Sequence, residues 1–157
     1  MRDRPRTMYL LNQASQAVRS QLEASLRDLQ LTGIQYTILT IVDKHEGISS
    51  AELSRRFFVT AQTMNEIING LEQRSLVARK EDPANKRILR MKLTAQGRKL
   101  LKKCEEIADR IEEVAFDWIE PDEYKVLRQS LRSLLRGLRE RNSTLAARSE
   151  TRRRVIS

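Results

Sequence analysis

From Leu100 the chain repeats apolar residues at steps of four and three: Leu100, Cys104, Ile107, Ile111, Val114 and Trp118. The pattern returns at Tyr124, Leu127, Leu131, Leu134 and Leu138. Such steps keep side chains on one helical face, so the spacing predicts two long helices with apolar seams. A helix from about Thr7 to Leu29 adds Leu11, Val18, Leu22 and Leu26. Pro121 followed by Asp122 and Glu123 starts the last helix, with proline in the first turn and acids at the positive end of the dipole.

Between these long elements the pattern shortens. Ser49-Ser50-Ala51-Glu52 has the form of a capping box and opens a helix running to about Phe57, with Leu53 and Phe57 on one face. Thr60 is a good N-cap for a second helix, whose Met64, Ile67, Ile68 and Leu71 fall at helical spacing. The other face of that helix carries Gln62, Thr63, Asn65, Glu66 and Asn69, side chains of the kind that reach base edges in a major groove. An ordinary solvated face would show the same residues.

Two strand-like runs follow, Leu76 to Glu81 and Arg87 to Leu93. The second alternates Leu89, Met91 and Leu93 inward with Ile88, Arg90 and Lys92 outward. Asp82-Pro83-Ala84-Asn85-Lys86 lies between them as a turn. A plain surface hairpin suits that pattern, but Lys86 and Arg87 at its tip, beside a polar helix, form an arm suited to phosphates and a minor groove. Two short helices, a basic hairpin and a new helix start make the layout of a winged helix-turn-helix.

The segment resembles the DNA-binding core of the MarR family of bacterial transcriptional regulators. The wing of that family typically ends in Asp-x-Arg, with Leu-Thr-x-x-Gly a few residues later. Here the first element stands as Asn85-Lys86-Arg87, preceded by Asp82-Pro83, and the second as Leu93-Thr94-Ala95-Gln96-Gly97. The resemblance runs to about Leu138 and includes Gln35 early in the second helix and the Leu71-Glu72 ending of the recognition helix. Three positions depart from it. Asn85 replaces the aspartate, which leaves at most a neutral hydrogen bond where the family has an ion pair with the wing arginine. Ser75 replaces a glycine at the left-handed C′ position, at a cost on the order of 1 kcal/mol. Glu66 stands where a basic residue is usual; it repels phosphate but can accept from the amino group of cytosine.

The resemblance implies a mainly α fold with a small β-hairpin, a winged helix-turn-helix core and long N- and C-terminal dimerisation helices. The segments expected are an N-terminal dimerisation helix over 1–30, the DNA-binding lobe over 31–97, C-terminal dimerisation helices over 98–141 and a disordered basic tail over 142–157. It also implies a homodimer, a pseudo-palindromic double-stranded operator and repression relieved by a small, often aromatic ligand. Thr60, Gln62, Thr63, Asn65, Glu66 and Asn69 are the expected base-reading residues. Arg79, Lys86, Arg87 and Arg90 are expected to hold the backbone or minor groove. Tyr9, Tyr36 and His45 are candidates for lining a ligand cleft by position alone. The seams could instead close as an intramolecular three-helix bundle, although one small core does not cover three long apolar faces.

Charge agrees with a nucleic-acid partner. The 157 residues carry a net charge of +9, distributed as +1 over 1–48, +4 over 49–94, −2 over 95–120 and +6 over 121–157. A basic excess in the hairpin region releases counterions when it meets phosphates, whereas Arg148 and Arg152-Arg153-Arg154 belong to the expected tail. The alternative reading is a general basic nucleic-acid-binding helical protein, but aromatics for base stacking make up only 4% of the chain.

One histidine and one cysteine, His45 and Cys104, offer neither a metal site nor a catalytic set, and no glycine-rich phosphate loop occurs. No cofactor or enzymatic activity is expected. Cys104 on an apolar seam reads as a small hydrophobe. No apolar run approaches the roughly 20 residues of a membrane span, and no signal-peptide core follows the basic start, so a cytoplasmic protein without membrane association is expected.

Overall fold

A computed structural model describes residues 5–156, with side chains described as far as Asn142. Helix α1 spans Thr7–Leu26 and passes through a 3-10 turn, Arg27–Leu29, into α2, Gly33–Lys44. Strand β1 (Ile48–Ser49) leads into α3 (Ser50–Phe57) and α4 (Ala61–Gln73). Strands β2 (Val77–Glu81) and β3 (Leu89–Leu93) follow, then α5 (Ala95–Phe116) and α6 (Pro121–Ile156).

Most of these starts are set by a hydroxyl that satisfies a free N–H of the first turn. Thr32 accepts from the Gln35 N–H at 3.3 Å while the Gln35 side chain accepts from the Thr32 N–H at 3.0 Å. Ser49 and Glu52 close the same reciprocal box, at 3.3 and 2.8 Å. Thr60 caps α4 through the Thr63 N–H at 3.1 Å, and Thr94 caps α5 through the Gly97 N–H at 2.9 Å. The helix ends are equally specific. Gln30, Phe58 and Ser75 all take positive φ, 52°, 55° and 56°.

The sheet is antiparallel with order β1-β3-β2 and pairs Arg79 with Met91 and Ile48 with Met91 on the two sides of the central strand. The two-residue β1 has no alternation to reveal it in sequence, so a three-stranded sheet stands where a hairpin alone was expected. Met91 and Leu93 point inward as expected, but Leu89 is exposed, because the hairpin has by then run beyond the core. The long first helix is also shorter than expected: its last residues tighten into the 3-10 turn that aims α2 back across the core.

One core joins all of this. Leu26, Ile38, Leu39, Leu53, Met64, Ile68, Leu71 and Met91 are fully buried, with Leu101 and Cys104 of α5 closing it from above. Beyond Cys104 the α5 seam opens. Val114 and Trp118 are about three-quarters exposed, as 75% and 77%, and Leu131, Leu134 and Leu138 of α6 are exposed too. The arrangement is therefore not a closed three-helix bundle. The backbone of α6 continues as helix to Ile156 through the segment expected as a disordered tail, and the side chains of Arg148, Arg152, Arg153 and Arg154 lie outside those described.

Candidate nucleic-acid interface

Helix α4 divides cleanly. Met64, Ile68 and Leu71 are buried, while Thr60, Gln62, Thr63, Asn65, Glu66 and Asn69 are exposed on the opposite side. All six candidate reading residues thus share one surface, and most are already engaged. The Thr60 and Thr63 hydroxyls meet at 2.8 Å. Gln62 Nε2 donates to Glu66 Oε1 at 3.2 Å, and Ser50 Oγ of α3 donates to Asn65 Oδ1 at 2.6 Å. Asn69 Oδ1 accepts from Arg79 Nη2 of β2.

Arg79 is mostly committed to the fold. Its Nε donates to Glu72 Oε2 at 2.9 Å and its Nη2 reaches the same oxygen at 2.5 Å, with the arginine side chain 20% exposed. That guanidinium holds the Glu72 carboxyl below its usual range. Arg79, expected to hold the DNA backbone or minor groove, here forms a brace between the recognition helix and the sheet.

The hairpin is braced in the same way. Asp82 Oδ1 accepts from the N–H groups of Ala84 at 2.8 Å and Asn85 at 3.1 Å, and Oδ2 accepts from Arg90 Nε at 2.6 Å. Those donors, Arg90 foremost, hold the Asp82 carboxyl below its usual range. Arg90 also donates to the Gly47 carbonyl at 3.2 Å and lies 3.6 Å from Glu52, so it ties wing, sheet and α3 together. Glu52 is itself held low, chiefly by its hydrogen bonds from Ser49.

The acid–base pair of the wing is therefore Asp82–Arg90, not a pair at Asn85. Asn85 Oδ1 instead accepts from the main-chain N–H of Arg87 at 3.1 Å, shaping the turn and leaving the guanidinium untouched. Lys86 and Arg87 are exposed and have no side-chain partner among the described residues. They are the open cations of the tip.

The bracing roles of several interface residues were not read from sequence. Ser50, Glu72 and Asp82 act through partners 15, 7 and 8 positions away, separations that no periodicity marks. Arg74, at the end of α4, donates to the Leu29 carbonyl at 3.1 Å and to that of Gln30 at 2.5 Å, tying the reading helix to the turn after α1.

The three ligand-cleft candidates fall on separate features. Tyr9 is exposed on α1 and accepts from Gln13 Nε2 at 2.8 Å. Tyr36 is half-buried on α2, where burial raises its pKa, and His45 is exposed at the α2 C-cap. A cavity of about 600 Å³ opens between α1 and α5, lined by Gln21, Ala24, Ser25, Ile107, Arg110, Ile111, Val114 and Ala115, and none of the three is among them. Cys104 is fully buried, and that burial pushes its thiol up to about 11. No cluster of metal-binding side chains occurs among the described residues, and no described helix is long and apolar enough to cross a membrane.

A capped helix pair, a three-stranded sheet with a basic wing and long flanking helices define a winged helix-turn-helix regulator. The chain belongs to the MarR family and is a transcriptional regulator. A model of the MarR family matches residues 29–88. The HTH-type transcriptional repressor Rv2887 of Mycobacterium tuberculosis strain H37Rv is 37% identical over 99 residues, 63% of this chain and 71% of the repressor. The transcriptional regulator HosA of Escherichia coli O111:H- is 29% identical over 132 residues, 84% of this chain and 96% of HosA.

Solved structures agree. A crystal structure of MarR superposes with a TM-score of 0.78 at 27% identity, covering 91% of this chain and 97% of that one. The Rv2887 complex with salicylic acid gives 0.68 at 30% identity, covering 85% and 99%.

Proposed function

We propose that the protein acts in the cytoplasm as a homodimeric repressor that reads a pseudo-palindromic operator with α4 and holds the flanking backbone with the wing. The observation that carries this reading is the single exposed polar face of α4, from Gln62 to Asn69, lying in one lobe with the unpaired cations Lys86 and Arg87. Short amide and hydroxyl groups suit base edges, and open cations suit phosphates or a narrow groove. Arg79 and Arg90 keep those two elements in register.

The dimer follows from uncovered apolar surface. Val18 of α1, Val114 of α5, Trp118 in the turn after it, and Leu131, Leu134, Leu135 and Leu138 of α6 are all exposed in the single chain. A second copy can bury these faces against their equivalents, and two-fold symmetry then sets two α4 helices into successive major grooves. Footprinting on DNA flanking the gene should show half-sites with centres about 10 bp apart. A single asymmetric site, or uniform salt-sensitive binding to any duplex, would overturn the reading.

A small aromatic ligand is proposed to relieve repression. Rv2887 has been crystallised with salicylic acid and with p-aminosalicylic acid, and the α1–α5 cavity here offers apolar walls with Arg110 at its edge. A thermal-shift screen of aromatic acids followed by gel shifts tests this.

A further inference from the structure

The hydrogen bonds on α4 do more than decorate its surface, because at Gln62 and Asn69 they fix which end of the amide faces outward. A guanidinium only donates, so the Arg79 bond holds the Asn69 oxygen inward and leaves the NH2 group exposed. A carboxylate only accepts, so Gln62 gives an N–H to Glu66 and keeps its carbonyl free beside a negative charge. Ser50 Oγ, 2.6 Å from Asn65 Oδ1, pairs the Asn65 amide too, but a hydroxyl donates and accepts alike, so that bond does not set which end of Asn65 faces outward. Residues four apart are neighbours along a helix. The face therefore carries an acceptor row, Gln62–Glu66, next to a fixed donor at Asn69, with Asn65 one turn before it.

We propose that this arrangement sets the base chemistry of the operator, and that Arg79 is the positioning residue for the Asn69 donor. The proposal rests on the DNA-reading role given to α4 above. Base amino groups, on cytosine N4 or adenine N6, belong opposite Gln62–Glu66, where the Glu66 carboxylate repels guanine O6 and thymine O4. Base acceptors belong opposite Asn69. Guanine offers N7 and O6 to an NH2 group, whereas adenine sets its own amino group beside N7 and needs an amide oxygen to receive it. Arg79 has turned that oxygen away at Asn69. Asn69 consequently favours guanine and refuses adenine, and a G·C pair whose cytosine faces the acceptor row satisfies Asn69 and that row at once.

Selection of bound sites from a random duplex library, using the full chain, tests the proposal. Wild type should favour guanine over adenine by about tenfold or more at one position of each half-site, and Asn69→Ala should flatten that position to within about threefold. The paired change Arg79→Met with Glu72→Gln leaves no unpaired carboxylate and frees the Asn69 amide to turn. It should admit adenine to within about threefold of guanine at that position while the positions facing Gln62–Glu66 keep their preference. Should the pair fail to fold, as judged by circular dichroism, Asn69→Asp keeps Arg79 and Glu72 in place and presents acceptors instead. It should move the preference from guanine to cytosine.

If the pair, or Asn69→Asp, leaves the profile unchanged, the positioning role is overturned. Equal weakening of all sites with a shallower salt slope would also overturn it, by making Arg79 a phosphate contact. Failure of the underlying reading looks different: neither Asn65→Ala nor Asn69→Ala would then change the selected sequence at any position.

Discussion

Gly97 is required by a close approach of backbone, not by an unusual dihedral. A Cβ built there falls on the Leu76 carbonyl, the same oxygen that accepts from the Thr94 N–H at 3.1 Å. Gly97→Ala should therefore destabilise by about 1–3 kcal/mol, seen as a lower Tm with the start of α5 displaced. Ser75 carries the opposite lesson. It holds φ 56° after α4, so Ser75→Gly should stabilise by on the order of 1 kcal/mol in urea unfolding. Cys104, buried and with its thiol near 11, should react with a thiol reagent at neutral pH only at the rate of unfolding; prompt labelling of the folded chain would contradict its burial. Glu52, Glu72 and Asp82 all have lowered carboxyl pKa values. Their contribution is present above the ordinary carboxylate range and is lost as pH falls through the lowered values. The wing and α4 braces should thus hold across neutral pH and loosen only in acid, as followed by amide hydrogen exchange of residues 79–90.

At the scale of elements, α4 and the wing should separate by kind of contact. Arg87→Ala removes an open cation at the tip, so it should weaken all DNA similarly and reduce the slope of log affinity against log salt by about 1. Asn65→Ala should cost roughly 1–3 kcal/mol on the preferred site and little on random DNA. Equal loss on both would mean that α4 is not the reading element. The capping boxes at Ser49–Glu52 and Thr32–Gln35 are local, and the first was legible as Ser-x-x-Glu in the chain. What was not legible is how the exposed residues are held. The bond from Ser50 to Asn65 joins two helices across a turn, and Arg79 meets Glu72 and Asn69 only because β2 folds back along α4.

At the scale of the whole molecule, the uncovered seams of α5 and α6 govern assembly. Sedimentation at micromolar concentration should give a dimer mass, and Leu131→Asp with Leu134→Asp should dissociate or unfold it, since each buries a carboxylate in an apolar interface. A stable wild-type monomer would contradict the proposal. The position of α5 also explains why its apolar repeat could not be assigned to one partner from sequence. Leu101 and Cys104 close the winged core, while Val114, on a later turn of the same helix, and Trp118, just past its end, remain open.

Local chemistry written into consecutive residues was fixed by sequence alone. The Ser and Thr caps, the turn at Asp82–Lys86, the 3.6-residue period of α4 and the basic tip at Lys86 and Arg87 depend on neighbours within a turn or two. Tertiary structure decided whatever depends on distant partners. It added β1 as a third strand, set Leu89 outside the core, and gave Arg79 and Arg90 ion-pair partners in Glu72 and Asp82. The physical reason is that a side chain's charge is a property of the residue, whereas its availability depends on which opposite charge the fold brings within reach.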